Sequence, residues 1–371
     1  MCEIEILKLM ENNYCVIMAG GVGSRFWPLS RQARPKQFLD ILGTGRTLIQ
    51  QTFDRFSSIV PVENILVVTS VRYKNHVKEQ LPELKDEQIL LEPLRRNTAP
   101  CVAYASYKIK TRNPQANIIV APSDHLIIKE EEFVRQIKNG LDFVENNDAL
   151  LTLGIKPSRP ETGYGYIQVK EKVDYNQFGN LYQVKTFTEK PDLEMAKIFV
   201  ESGEFFWNSG IFLWSLNSIL TAFDNYLNDV SSLFAKGIKL YNTDDEVYFI
   251  NKTYSECQGI SIDYGIMEKA RNVYVLTADF GWSDLGTWGS LYDNKQKDTN
   301  GNVILGENVL TYETRNCIVN LSKEKVAVLQ GLDGYIVAES NDTLMICRKE
   351  DEQQIKQFVT DVRIQKGDSL V

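Results

Sequence analysis

A mostly parallel α/β sheet followed by a separate β-rich domain is the fold this sequence predicts, and three observations predict it. First, short β-rich runs at Tyr14 to Ala19, Ile65 to Thr69, Asn117 to Ala121 and Leu150 to Ile155 are continuous apolar stretches, as buried strands are. Second, they alternate with stretches of amphipathic helical spacing at Thr47 to Phe56, Val71 to Leu81, Thr98 to Lys110 and Glu131 to Asn146. Third, the texture changes after about Asn294, where Gly301 to Arg348 is built of Val, Ile and Leu in short alternating pieces punctuated by Gly and Asn. The sum is a Rossmann-like mixed, mostly parallel sheet with helices on both faces in residues 1–294, with ligands expected at the carboxyl ends of its strands. Residues 295–371 form a small C-terminal domain ending in one helix, Glu350 to Val362, with the boundary in the polar stretch Asp293 to Asn300.

Between these parts, Gly165 to Val169 and Leu181 to Thr188 alternate like a hairpin inserted over the sheet. Helical spacing resumes at Asp192 to Ser202, a strand follows at Gly210 to Trp214, and a mostly helical stretch runs to Ala270. No fixed-period repeat or low-complexity tract interrupts the chain.

Composition narrows the function classes. With 371 residues, 43% apolar and 24% charged, the chain buries at least one sizeable core. A net charge of −8 argues against gripping a nucleic acid along a broad surface and predicts that any bound phosphate sits in a local basic pocket. Apolar runs such as Ile118 to Ala121 and Ala149 to Leu153 are far below bilayer length, and Met1 to Asn13 carries three Glu in place of a basic leader. A cytoplasmic protein with no membrane contact is expected. Six cysteines (Cys2, Cys15, Cys101, Cys257, Cys317, Cys347) form no C-x-x-C pair and read as reduced structural thiols. With two histidines, His76 and His125, the chemistry must rest on carboxylates, Arg and Lys.

The strand Tyr14 to Ala19 runs straight into Gly20-Gly21-Val22-Gly23-Ser24-Arg25, where glycines let backbone N–H groups close around phosphate oxygens. The loop lacks the Gly-Lys-Ser/Thr of a Walker A motif, and Phe26 occupies the third glycine position of a dinucleotide fingerprint. Arg25, Arg31, Arg34 and Lys36 follow within a dozen residues, a clustering that suits a triphosphate whose departing pyrophosphate needs its charge neutralised. Taken alone, Asp124 reads as a helix cap, Asp284 as a turn residue, Asn97 or Thr98 as an N-cap, and Glu189-Lys190-Pro191 as a charged helix entry.

The run Gly20-Gly21-x-Gly23-x-Arg25-x-Trp27-Pro28-Leu29-Ser30-Arg31 with Pro35-Lys36-Gln37-Phe38 closely resembles the signature of mannose-1-phosphate guanylyltransferases. Further matches come in order: Glu92-Pro93 with Arg96-Asn97-Thr98-Ala99-Pro100, Pro122-Ser123-Asp124-His125, Thr162-Gly163-Tyr164-Gly165-Tyr166 and Thr188-Glu189-Lys190-Pro191. Trp207-Asn208-Ser209-Gly210, Ser261-Ile262-Asp263-Tyr264 and Gly281-Trp282-Ser283-Asp284 complete the set, which spans nearly all of residues 14–290.

The resemblance implies that Gly20, Gly21 and Gly23 cradle the nucleotide phosphates, Arg25 holds the β and γ phosphates and Lys36 neutralises charge at the reacting phosphorus. It implies Mg²⁺ on Asp124 and Asp284, a hard cation on carboxylate oxygens. Glu92, Arg96, Asn97 and Ser123 fall to the nucleotide, and Gly165, Glu189, Lys190 and Asn208 to the sugar phosphate. The implied reaction transfers GMP from GTP to mannose 1-phosphate, releasing GDP-mannose and pyrophosphate, with Arg25, Lys36, Asp124 and Asp284 as the catalytic set and no covalent intermediate. Alternatives are a pyrophosphorylase of GDP-heptose or UDP-glucose type, a non-catalytic nucleotide-sugar sensor, and a bifunctional enzyme, for which the C-terminal segment is short. That segment resembles a left-handed β-helix that often packs on a neighbouring subunit, compatible with a homodimer.

Overall fold

The computed structural model describes residues 11–175 and 179–371, which divide into two compact units. The first gathers residues up to 20 with 52–123 and 127–282. Its centre is a nine-stranded sheet: β1 (Asn13–Ala19), β2 (Ile65–Ser70), β3 (Ile89–Glu92), β4 (Asn117–Pro122), β5 (Leu150–Ile155), β6 (Gly165–Lys172), β7 (Leu181–Glu189), β8 (Phe205–Ser215) and β9 (Val273–Ala278). The spatial order is β3-β2-β1-β4-β8-β5-β9-β7-β6, and only β8 and β7 run against the rest. The sheet is therefore mixed and mostly parallel, as the alternating pattern predicts.

Side-chain alternation along the strands sends Leu150, Phe212 and Trp214 to one face, where they share a core with helix α1 (Thr98–Arg112). Leu151 and Leu213 point the other way, against Gly140 of α2 (Glu130–Asn146), where an added Cβ would stand 3.0 Å from each leucine. Helices thus cover both faces, and the strands need apolar residues at every position.

The segments Gly165–Lys172 and Leu181–Glu189 do not lie over the sheet as a separate hairpin; they are its edge. Leu181 and Tyr182 pair with Leu276 and Val275 of β9, and Tyr166 and Ile167 pair with Trp207 and Phe206 of β8. Burial of Leu181, Tyr166 and Ile167 explains the insertion, because only a sheet position covers them. The expected helix Val71 to Leu81 is a 3₁₀ turn, Val71–Tyr73, followed by a helix from Lys74 to Gln80.

Helix α1 is buried from Ala99 to Ile109 and takes a cation with it. Lys108 Nζ sits 2.6 Å from Glu246 Oε2, at the start of α3 (Glu246–Glu256). The same carboxylate accepts Tyr104 Oη at 2.6 Å and the Asn242 N–H at 2.7 Å. Three donors depend on one carboxylate, so its loss strands a buried ammonium.

The second unit gathers residues 21–51, 124–126 and 283–371. Its β-rich part stacks β10 (Val303–Leu305), β12 (Ile318–Asn320) and β14 (Tyr335–Ser340) in parallel, with Val303 beside Ile318 and Ile318 beside Ile336. Beside this lie a parallel pair, β11 (Val309–Tyr312) with β13 (Ala327–Gln330), and an antiparallel closing strand, β15 (Thr343–Arg348). Ile318, Ile336 and Val303 form one core with Phe26, Trp27, Leu285 and Trp288 and with Ile355 and Val359 of the C-terminal helix α4 (Ile355–Lys366). Cys15, Cys101, Cys257, Cys317 and Cys347 are free and buried, while Cys2 lies outside the described residues. No helix among the described residues is long and apolar enough to cross a membrane.

Glu246→Ala should lower unfolding stability by about 3–5 kcal/mol, read from urea denaturation. Adding Lys108→Met should recover much of that loss, because it removes the stranded charge.

Candidate functional site

In the second unit the glycine loop is fixed through its carbonyls. Ser30 Oγ and the Lys36 N–H donate to the Val22 carbonyl at 2.5 and 3.1 Å, and Gln37 Nε2 donates to that of Gly21 at 3.0 Å. The N–H groups of Gly21, Val22, Gly23 and Ser24 donate to no group among the described residues. Gly23 is required twice over: its φ is +71°, and a Cβ there would lie 2.5 Å from Cβ of Lys36. Arg25 follows on the 3₁₀ turn Ser24–Phe26, partly exposed, with Phe26 buried beneath it.

Lys36 is buried, with 4% of its side chain exposed. Its ammonium lies 2.9 Å from Asp124 Oδ2 and donates to the carbonyls of Asp284 at 2.8 Å and Leu285 at 2.9 Å. An ammonium has three protons, so these three acceptors saturate it. Burial acts to raise the Asp124 carboxyl, but the Lys36 ammonium, with His125, outweighs it and holds Asp124 below the usual carboxylate range. Asp284 is fixed from its own turn: Oδ1 accepts the Gly286 N–H at 2.8 Å, and a Cβ on Gly286 would stand 2.4 Å from Oδ2. Leu285, between them, has φ +44° and is anchored in the core of the unit. Lys36, Asp124 and Asp284, far apart in sequence, therefore meet at one ammonium.

The donor chemistry here fits a hard divalent cation. Asp124 is held ionised, and the Asp284 turn brings a second carboxylate residue to the same ammonium. Among the described residues no group of three or more His, Cys, Asp or Glu could hold a metal ion. Two carboxylates completed by substrate phosphates and water are the set Mg²⁺ favours.

In the first unit two further groups form. Glu92, at the end of β3, accepts Tyr254 Oη at 3.0 Å, and its Oε2 would lie 3.8 Å from a Cβ on Gly20. Burial, partly offset by Tyr254 and Arg95, pushes its carboxyl up to about 7. Arg96 is used structurally: Nε donates to the Tyr254 carbonyl at 3.0 Å, and its own carbonyl accepts the Ile260 N–H. Asn97 has φ +67° and accepts the Thr98 N–H, a cap at the start of α1. Ser123 is buried, its N–H on the Met18 carbonyl and its carbonyl accepting Thr52 Oγ1. Glu92 is thus the one of these side chains with a carboxyl still able to change its proton state near neutrality.

The second group joins Gly165, Glu189, Lys190 and Asn208. Gly165 pairs with Glu189 across β6 and β7, and a Cβ at 165 would lie 2.5 Å from Glu189 Oε2 and 3.3 Å from Cβ of Asn208. Lys190, at φ +49°, turns its ammonium to 2.5 Å from Glu189 Oε1. Asn208 receives Thr152 Oγ1 at 2.9 Å and donates from Nδ2 to Asp263 Oδ1 at 3.0 Å.

Asp263 has no role assigned from the sequence. Burial first, then the Glu189 charge, raises its carboxyl to about 6. Its signal is present in Ser261-Ile262-Asp263-Tyr264, but nothing in one sequence places that turn against β7 and β8. Acids, an amide and an ammonium at hydrogen-bonding distance are the groups that bind hydroxyls and a phosphate.

Comparison with known proteins agrees with this architecture. Residues 14–301 match the nucleotidyl transferase family, and residues 306–362 match the MannoseP isomerase/GMP-like beta-helix domain. A mannose-1-phosphate guanylyltransferase of Escherichia coli is 36% identical over 93% of this chain and 74% of its own length. The alginate biosynthesis protein AlgA of Pseudomonas putida is 37% identical over 93% of this chain and 70% of its own. The solved structure of a mannose-1-phosphate geranyltransferase from Thermus thermophilus superposes with a TM-score of 0.85 at 29% identity, covering 95% of this chain and 99% of that one. The fold and its loops define a nucleotidyltransferase. The chain belongs to the nucleotidyl transferase family, in its mannose-1-phosphate guanylyltransferase group.

Two outcomes follow. A folded carboxyl raised to about 6 from an ordinary 3.8 binds its proton more tightly in the native state, so Asp263 withdraws stability as pH rises from about 4 through about 6. Asp263→Asn should remove that loss, so the stability of the variant relative to the parent rises between about pH 4 and about pH 6 in parallel urea titrations. Gly23→Ala, strained in φ and overlapping Lys36, should lower thermal stability and nucleotide affinity together, as read by calorimetry with and without GTP.

Proposed function

We propose that the protein transfers GMP from GTP to α-D-mannose 1-phosphate, giving GDP-mannose and pyrophosphate. The observation that carries the reading is the convergence of Asp124 and the Asp284 turn on the buried Lys36 ammonium, just after a loop whose N–H groups are unengaged. The names of the relatives support the choice of substrates.

A sugar-phosphate oxygen attacks the α-phosphorus of GTP; the new P–O bond forms as the bond to the β-phosphate bridging oxygen breaks, and pyrophosphate leaves with that electron pair. The nucleophile is already anionic near neutral pH, so no general base or covalent enzyme intermediate is required. Lys36 must release one of its three acceptors to reach a phosphate oxygen, and the released Asp124 carboxylate becomes available to a cation. A bound Mg²⁺ would supply Lewis-acid offset of triphosphate charge, held by Asp124 and Asp284. The loop N–H groups and Arg25 orient the phosphates. Glu189, Asn208 and Asp263 accept and donate to sugar hydroxyls, and Lys190 meets the sugar phosphate. Glu92 fits the nucleotide end. A cytoplasmic setting and a homodimer built on the β-helix domain complete the proposal.

Pyrophosphate release should be measured with GTP, UTP, CTP, ATP and dTTP against mannose, glucose and heptose 1-phosphates. Preference for GTP with mannose 1-phosphate is the expected outcome; equal or better turnover with another pair replaces the substrate assignment, and no turnover with any pair points to the non-catalytic alternative.

Lys36→Ala should lower kcat by about 100-fold or more, and because Lys36 is buried at a three-way junction it should also lower stability. Asp284→Asn keeps the turn's Gly286 contact and should lose turnover with little change in melting temperature, with the required Mg²⁺ concentration rising.

A further inference from the structure

The catalytic set assigned so far comes from the nucleotidyltransferase part of the sequence, yet the second unit brings a residue of the C-terminal helix to the phosphate loop. Helix α4 packs on the Ser24–Phe26 turn, with Ile355 and Val359 buried in the same core as Phe26 and Trp27. Lys356, next to Ile355, is exposed. The ammonium feels the Arg25 guanidinium as its main influence, which with burial lowers Lys356 below the ordinary lysine value.

Two like charges held side by side are unfavourable unless something anionic joins them. Neither side chain forms an ion pair or hydrogen bond with any described residue. A carboxylate four residues earlier is the usual remedy on a helix, but that position here falls on the 3₁₀ turn Lys349–Gln354 that precedes α4. That residue is Glu352, and its Oε2 is directed instead to the Gly289 N–H at 2.7 Å. In a chain of net charge −8, an uncompensated pair of cations beside a loop with unengaged N–H groups is an exception with a simple chemical meaning.

We propose that Lys356 is a phosphate-binding residue, contributed by the β-helix domain, which together with Arg25 grips the terminal phosphates of the nucleoside triphosphate and the departing pyrophosphate. The inference rests on the nucleotidyl-transfer reading above and adds a residue outside the family's transferase region. It makes helix α4 part of the binding machinery, beyond its packing role.

Inorganic pyrophosphate, titrated calorimetrically into the full-length protein with Mg²⁺, is the direct probe. Lys356→Gln should weaken its binding roughly tenfold or more and raise KM for GTP by a similar factor. KM for mannose 1-phosphate should stay unchanged. Lys356→Arg should restore most of the pyrophosphate affinity. Without ligand, Lys356→Gln should melt at or above the parental temperature, since it removes a repulsion; a merely structural lysine would show the reverse, with pyrophosphate affinity unmoved. Parental pyrophosphate binding undiminished in Lys356→Gln overturns the role of Lys356 alone. A parental protein that neither binds pyrophosphate nor releases it from any triphosphate overturns the transfer reading as well.

Discussion

The second unit depends on one ammonium. Lys36 Nζ holds the Asp124 carboxylate and the carbonyls of Asp284 and Leu285, and so fastens together three segments that lie far apart along the chain. A buried cation with fewer than three acceptors would be costly, and each acceptor here comes from backbone or side chain that is itself restrained. Gly23 has no side chain because Cβ of Lys36 occupies the place one would need, and Leu285 accepts a left-handed φ so that successive carbonyls face one donor. Strain in a turn is tolerated where the surroundings over-determine it. With these three acceptors all of the ammonium's protons are engaged.

The two units use opposite electrostatics. In the second, cations and unengaged N–H groups predominate around the loop, which suits phosphate. In the first, burial and then the Glu189 charge raise the Asp263 carboxyl to about 6, and Asn208 donates to it, a set of acceptors and an amide that suits hydroxyls. Lys190, held by both acids above the ordinary lysine value although burial alone would lower it, keeps a positive charge in that acidic setting.

Much of this was legible in the sequence because it rests on local pattern. Strands β1, β2, β4 and β5 announce themselves as apolar runs, since both sheet faces are covered and no alternation is needed. The glycine loop is visible for the same reason, its conformation being set by residues next to one another. What failed to show depends on distant pairing. The strands Gly165–Lys172 and Leu181–Glu189 alternate like a free hairpin, and only their registers with β8 and β9 place them at the sheet edge. Asn97 reads as a cap from local sequence and is one, its Oδ1 taking the Thr98 N–H, whereas the bond from Arg96 Nε to the Tyr254 carbonyl depends on a helix far along the chain. Lys36 reads as one basic residue among several in a loop; that it is buried, and which carbonyls it meets, is fixed by residues 284 and 285.

The C-terminal strands add a further constraint. Their interior residues Ile318 and Ile336 share a core with Phe26, Trp27, Leu285 and Trp288, so the turns carrying Arg25 and Asp284 rest on the stacked strands. Arg31 extends the same support, with Nη2 reaching Asp342 at 2.8 Å and the Ser340 carbonyl at 3.1 Å. A flexible glycine loop would lose entropy on closing around a phosphate, and fixing its flanks beforehand reduces that cost. The β-rich domain is then best understood as the rigid base of the phosphate loop. A domain whose core also orders these turns cannot be removed without loosening Arg25 and the Asp284 turn.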